Sequence, residues 1–158
     1  MPRTTLPART TPPQRRTRLD NNEYALLARF RYALRSFLRF SEAAAEGVGL
    51  TAQHYQALLV LRGWPADEPV SINDLAGQLL IRHHSAVGLV DRLGEQELVA
   101  REPSASDGRK VYLRLTAKGE RELERLAAVH REELQRIGPQ LSALIEEIAR
   151  SEHSGKPR

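Results

Sequence analysis

The stretch Ser71–Thr116 reads SINDLAGQLLIRHHSAVGLVDRLGEQELVAREPSASDGRKVYLRLT, and its apolar period switches from helical to alternating partway along. Ser71 with Asp74 three residues later has the capping-box spacing, opening a short helix with Ile72, Leu75, Ala76 and Leu79 on its apolar side. A brief break at Leu80 and Ile81 leads into a second helix from about His83 to Gln96, whose apolar face is Ala86, Leu89, Val90 and Leu93. Residues 99–102 are strand-like, residues 103–108 are dense in turn formers, and Val111, Leu113 and Leu115 alternate with Lys110, Tyr112 and Arg114. Two short helices joined by a tight turn and followed by a β-ribbon predict a winged helix-turn-helix. The second helix of such a unit has the width of the DNA major groove.

Outward from this unit the chain is helical. Upstream, Thr51 caps a helix carrying Tyr55, Leu58, Leu59 and Leu61, closed by Gly63 and Pro65. Before it, Asp20 and Glu23 form another capping-box pattern, and Leu27, Phe30, Leu34, Phe37, Leu38 and Ser41 follow helical spacing as far as Gly47 and Gly49. Such a helix spans roughly 37 Å at about 1.5 Å per residue, longer than a small winged-helix core can cover. Downstream, Thr116 caps a helix with Leu123, Leu126, Ala127, Leu134 and Ile137. Gly138-Pro139 is expected to end that helix and to start another carrying Leu141, Leu144, Ile145 and Ile148. The surplus apolar surface predicts a homodimer, with Leu144 and Ile148 in the interface.

The fold class expected is therefore mostly α with a small β-wing. Its parts are a disordered basic arm (1–19), a dimerisation helix (20–48), a winged helix-turn-helix domain (50–116), dimerisation helices (117–150) and a flexible tail (151–158).

Composition narrows the function classes. The 158 residues include no cysteine, which excludes disulfide staples, cysteine-ligated zinc and thiol redox switching. No apolar run approaches the roughly 20 residues a membrane span needs. The formal net charge is +4, and the arginines at 3, 9, 15, 16 and 18, in an acid-free start, more than account for it. That start shares its composition with organelle transit peptides, but a solvated arm that lightly grips phosphates is the reading adopted. Between Ser71 and Leu115 six basic residues face six acidic ones, so placement rather than net charge must point to nucleic acid. A winged helix used only for protein–protein contact is the alternative that this balance keeps open. No nucleotide-binding glycine loop, nucleophile elbow or metal-ligand spacing is present, so neither a catalytic residue nor a cofactor is expected. Neighbouring His83 and His84 point about 100° apart on a helix, and no cysteine or carboxylate cluster completes a zinc set, so no metal is expected either.

Placement does single out residues. Arg82, His83, His84 and Ser85 open the second helix, where base edges and phosphates are met. Val87 is a candidate for a thymine-methyl contact as much as for the core, and Arg92 for a phosphate contact as much as for an acidic partner. Gly88 inside the helix costs about 1 kcal/mol relative to Ala, which a close approach of DNA backbone or of another helix would explain. Arg109 at the ribbon tip suits the negative potential of a narrow minor groove; Asp107 can hold a guanidinium in place, and Lys110 adds a cation. Arg31, Arg35, His54 and Tyr55 are candidates for an effector pocket, the arginines for a carboxylate and the tyrosine for an aromatic ring.

The chain resembles the MarR family of winged helix-turn-helix transcriptional regulators. The likeness runs from Leu50-Thr51 through "HSAVGLVDRL" before "LVAR", then Asp-x-Arg at 107–109, "LT-x-x-G" at 115–119 and "AKGERELERL", within about residues 20–150. It implies a cytoplasmic, nucleoid-associated homodimer on a palindromic DNA operator, repressing nearby genes until a small, often aromatic anion binds between the dimerisation helices and the DNA-binding lobe. It also implies that Arg101 pairs with Asp107 behind the wing tip. Two positions depart from the pattern: Glu97 stands where glycine is usual, and Gly108 replaces an arginine of the wing.

Overall fold

The computed structural model describes residues 19–104 and 111–151. Its elements are α1 (Asn21–Glu46), α2 (Ala52–Gly63), β1 (Val70–Ser71), α3 (Ile72–Gln78), α4 (His83–Glu95), β2 (Val99–Pro103), β3 (Val111–Leu115) and α5 (Ala117–Ser151). The chain is mostly α with a small antiparallel sheet, as the sequence predicts. The arm at 1–18 and the tail beyond 151 lie outside the described residues, as do Asp107, Arg109 and Lys110 in the wing.

The start signals act as their chemistry demands. Asp20 Oδ1 accepts the Glu23 N–H at 2.9 Å while Glu23 Oε2 accepts the Asp20 N–H at 2.7 Å, the reciprocal capping box at the head of α1. Ser71 and Asp74 do the same for α3, and Thr51 Oγ1 accepts the His54 N–H at 3.1 Å for α2. Strand order is β1-β3-β2, so the expected hairpin gains a third strand: Val70 pairs with Leu113, and Ser71 with Tyr112. Two residues are too few to show alternation, which is why β1 has no sequence signature.

The main core lies inside the winged-helix lobe, where Leu58, Leu75, Leu89, Leu93 and Leu98 are fully buried and Leu123 and Leu126 of α5 close one side. Ala86, Leu89, Val90 and Leu93 form the buried face of α4, as expected. A second cluster joins Leu26, Phe30 and Ala33 of α1 to Leu141, Leu144 and Ile148 of α5.

Two expectations are corrected here. Gly138-Pro139 does not break the chain: α5 runs unbroken from Ala117 to Ser151 with Pro139 inside it. Proline removes one helical hydrogen bond, at a cost of about 3 kcal/mol, but its fixed φ is itself helical. Buried Ile137 and Leu144 on either side hold the two halves in one helix. Leu144 is only 2% exposed within a single protomer, so it belongs to the intrachain α1–α5 cluster rather than to a dimer surface, and Ile148, partly buried, packs against the same cluster.

Candidate nucleic-acid interface

The α3–turn–α4 unit is held by helix-end geometry. Helices α1, α3 and α4 each finish with an N–H reaching back five residues: Leu50 to Ala45 O, Ile81 to Ala76 O and Leu98 to Leu93 O, all at 2.9–3.0 Å. This closure places one residue in the left-handed region. In α1 it is Gly49 (φ 75°), but α3 uses Leu80 (φ 53°) and α4 uses Glu97 (φ 59°). Glu97, which stands where glycine is usual, is therefore held in a backbone conformation that favours glycine. Leu80 is also 93% exposed, a bulky apolar side chain in the turn that leads into α4.

Arg82 is the N-cap of α4 and makes no side-chain cap hydrogen bond. Arg82, His83, His84 and Ser85 are all exposed, a contiguous polar face at the positive end of the helix dipole. His83 Nδ1 lies 2.6 Å from Asn73 Oδ1 on α3. Val87 is half-buried, between the two roles open to it. Gly88 accommodates neither another helix nor a strand: a Cβ there would meet only the Arg92 guanidinium, at 3.6 Å. Arg92 thus folds back along its own helix. Its charge, after burial, is the second cause holding the His54 imidazole below its ordinary pKa.

Arg101 forms a 2.6 Å ion pair with Asp91, tying β2 to α4, while its expected partner Asp107 lies outside the described residues. Both side chains are close to half exposed, so the pair is worth at most about 1 kcal/mol. Arg114 pairs likewise with Glu102 across the sheet at 2.6 Å.

At the other end of the wing, the threonine and glycine of "LT-x-x-G" have separate jobs. Thr116 Oγ1 donates to Glu97 O at 2.6 Å and accepts the Gly119 N–H at 3.0 Å. Gly119 faces the Leu98 carbonyl so closely that a Cβ would fall 2.1 Å from that oxygen. Only glycine lets the head of α5 rest on the strained end of α4.

The residues expected around an effector divide between two environments. Arg31 and Arg35 are exposed on α1, whereas His54 and Tyr55 are buried on α2. His54 Nδ1 is buried without a hydrogen-bond partner, and burial is the main cause lowering its pKa. The Tyr55 ring stacks on His130 with centroids 4.1 Å apart, and burial raises the pKa of its hydroxyl.

His130 is the residue that sequence reading missed. It is 4% exposed, donates Nδ1–H to Leu126 O at 2.7 Å and, in that tautomer, accepts the Ser41 hydroxyl at Nε2, also at 2.7 Å. Phe37 and Phe40 meet it edge-on. One imidazole therefore joins α1, α2 and α5 where the long helices meet the winged lobe. Its position four residues after Leu126, on the stripe Leu123–Leu126–Ile137, was the available signal.

Together, α3, α4 and the sheet are a winged helix-turn-helix, and residues 48–110 match the model of the MarR family. The resemblance read from the sequence is borne out over this lobe, which is similar to the MarR family. Among solved structures, the chain is similar to MepR, a transcription regulator of the Staphylococcus aureus multidrug efflux pump MepA, with 22% identity, a TM-score of 0.65 and coverage of 83% of this chain and 93% of that one. The structure of a MepR–DNA complex matches over the same shares with 23% identity and a TM-score of 0.66. AbsC, a MarR family transcriptional regulator from Streptomyces coelicolor, matches with 20% identity and a TM-score of 0.67, over 87% of this chain and 99% of that one. At these identities the likeness establishes the fold alone. No curated protein sequence matches. Among the described residues no helix is long and apolar enough to cross a membrane, and no three potential metal ligands gather.

Proposed function

We propose that the protein is a dimeric, sequence-specific DNA-binding transcriptional regulator of the MarR type, acting as a repressor that a small effector releases. The observation that carries this reading is the exposed face Arg82–Ser85 at the uncapped start of α4, beside a three-stranded wing. The positive end of the α4 dipole favours phosphate, and the first-turn side chains reach base edges. MepR and AbsC are regulators of this fold, and MepR has been seen on DNA, which supports the same use here. A regulator of this kind works in the compartment that holds the DNA, the cytoplasm, and needs no catalytic step.

Dimerisation has support in the long helices. Tyr24, Tyr32 and Leu38 on α1, and Leu134 and Ile145 on α5, are large apolar residues 47–68% exposed in the single chain. For the effector, His54 offers a buried Nδ1 with no hydrogen-bond partner among the described residues. Arg31 and Arg35 on the neighbouring helix are the cations for a carboxylate, and Tyr55 reaches the same junction through its stack on His130.

The test is footprinting of the purified protein on genomic DNA, followed by affinity measurements on the site found. Arg109→Ala should lose about 1–3 kcal/mol of specific affinity and, counted twice in a dimer, shallow the salt slope by about two units. Binding that stays constant from low to high salt would instead favour a protein-contact module.

A further inference from the structure

The geometry points to Asn73 as a positioning residue for base readout: it locks His83 in the tautomer that selects bases presenting an amino group in the major groove. This rests on the DNA-binding reading above and adds to it the chemical class of base recognised. Asn73 lies in the first turn of α3, exposed, and its side-chain oxygen is 2.6 Å from His83 Nδ1 at the first position of α4. An amide oxygen can only accept, so Nδ1 must carry the proton. In the neutral ring the lone pair then sits on Nε2, and that nitrogen has no partner among the described residues.

The surroundings leave this arrangement undisturbed. His83 and Asn73 share one wall of a cleft of about 580 Å³ whose opposite wall is Val111 and Tyr112 of β3. The charged group nearest in that wall, Asp74, is committed to Ser71: its Oδ2 accepts the Ser71 N–H at 2.9 Å and the Ser71 hydroxyl at 2.6 Å. It therefore does not compete with Asn73 for the imidazole.

A lone-pair nitrogen at the tip of the recognition helix cannot bond a phosphate oxygen, which also only accepts. It can accept from adenine N6 or cytosine N4, and it is repelled by guanine O6 and thymine O4. His83 should thus prefer A or C over G or T at one strand position of each half-site.

The experiment has two arms on the full-length chain. Long-range 1H–15N NMR of the histidine rings, at mildly alkaline pH without DNA, should show the Nδ1–H tautomer for His83 and a change to Nε2–H in Asn73→Ala. In the second arm, wild type, Asn73→Ala, His83→Ala and the double variant each select from a randomised double-stranded DNA pool. Wild type should show a roughly fivefold preference for A or C at one position per half-site, as expected for one net hydrogen bond. Each single variant should lose it, and the double variant should lose no more. A wild-type ring that is Nε2–H or imidazolium overturns the inference, and so does additive loss or an even loss of affinity across all sequences in Asn73→Ala. A wild type that selects no sequence at all brings down the DNA-binding reading and the readout together. A selecting wild type with no amino-base preference brings down this inference alone.

Discussion

Leu80 and Glu97 occupy backbone conformations that favour glycine, at the ends of the two helices that make the helix-turn-helix. The left-handed region costs a side-chain-bearing residue about 1–2 kcal/mol, partly offset by the extra freedom glycine has when unfolded. Leu80→Gly and Glu97→Gly should therefore each stabilise the fold by on the order of 1 kcal/mol, measured by denaturant midpoint, with Gly49→Ala moving the opposite way. Destabilisation by Leu80→Gly would show that its exposed side chain has a partner in the free protein. His54 gives a residue-scale pH effect. Burial first, and the Arg92 charge second, hold its folded pKa below the ordinary value of 6.5. Above that value the ring is neutral folded and unfolded, and stability is full. As pH falls below 6.5 the unfolded chain takes up the proton first, so stability declines until the folded pKa is passed. Thermal melts of wild type should drop over that window, and His54→Gln should flatten the drop. An unchanged slope in the variant would place the proton elsewhere.

Beside the apolar clusters, one joint between elements rests on a single tight contact. At the junction of α4, β3 and α5, Gly119 lies against the Leu98 carbonyl while Thr116 bridges Glu97 O and the Gly119 amide. A methyl group placed against the Leu98 carbonyl cannot be absorbed by a side-chain rotation, because the backbone of α5 fixes the Cβ and the oxygen is itself main chain. Gly119→Ala should cost more than about 2 kcal/mol despite alanine's better helix propensity. A neutral result in chemical denaturation would mean that α5 can slide along the lobe. The surface ion pairs at Asp91–Arg101 and Glu102–Arg114 are exposed enough that removing either should change stability by no more than about 1 kcal/mol.

For the molecule as a whole, the two clusters of buried side chains assign different jobs to the two ends of α5. Its first half completes the winged lobe through Leu123 and Leu126, and its second half packs on α1 through Leu144. Burying a leucine is worth about 2 kcal/mol, so a charge at Leu144 would unseat the α1–α5 pair before it tested any assembly. Ile145, one residue on and 53% exposed, is the informative site. Ile145→Glu together with Tyr24→Glu should convert a dimer to a folded monomer in sedimentation, with helical content retained. A variant that stays dimeric at micromolar concentration would move the interface off these faces.

Much of this was legible in the chain itself. Capping boxes at Asp20 and Ser71, the stripe Ala86–Leu89–Val90–Leu93 and the alternation Val111–Leu113–Leu115 are local patterns, and local patterns specify helices, strands and the winged-helix order without reference to anything distant. The exposed start of α4 followed from the same reading. Other features depended on groups far apart in sequence. Pro139 remains helical because Ile137 and Leu144 are buried on either side of it, and β1 exists because Val70 and Ser71 find Leu113 and Tyr112. The joint at His130 needs Ser41, eighty-nine positions away, and Asn73 reaches His83 across the turn between two helices. Periodicity records which face of an element is apolar; which partner meets that face, and which polar atoms are thereby paired or stranded, is decided only when the elements pack.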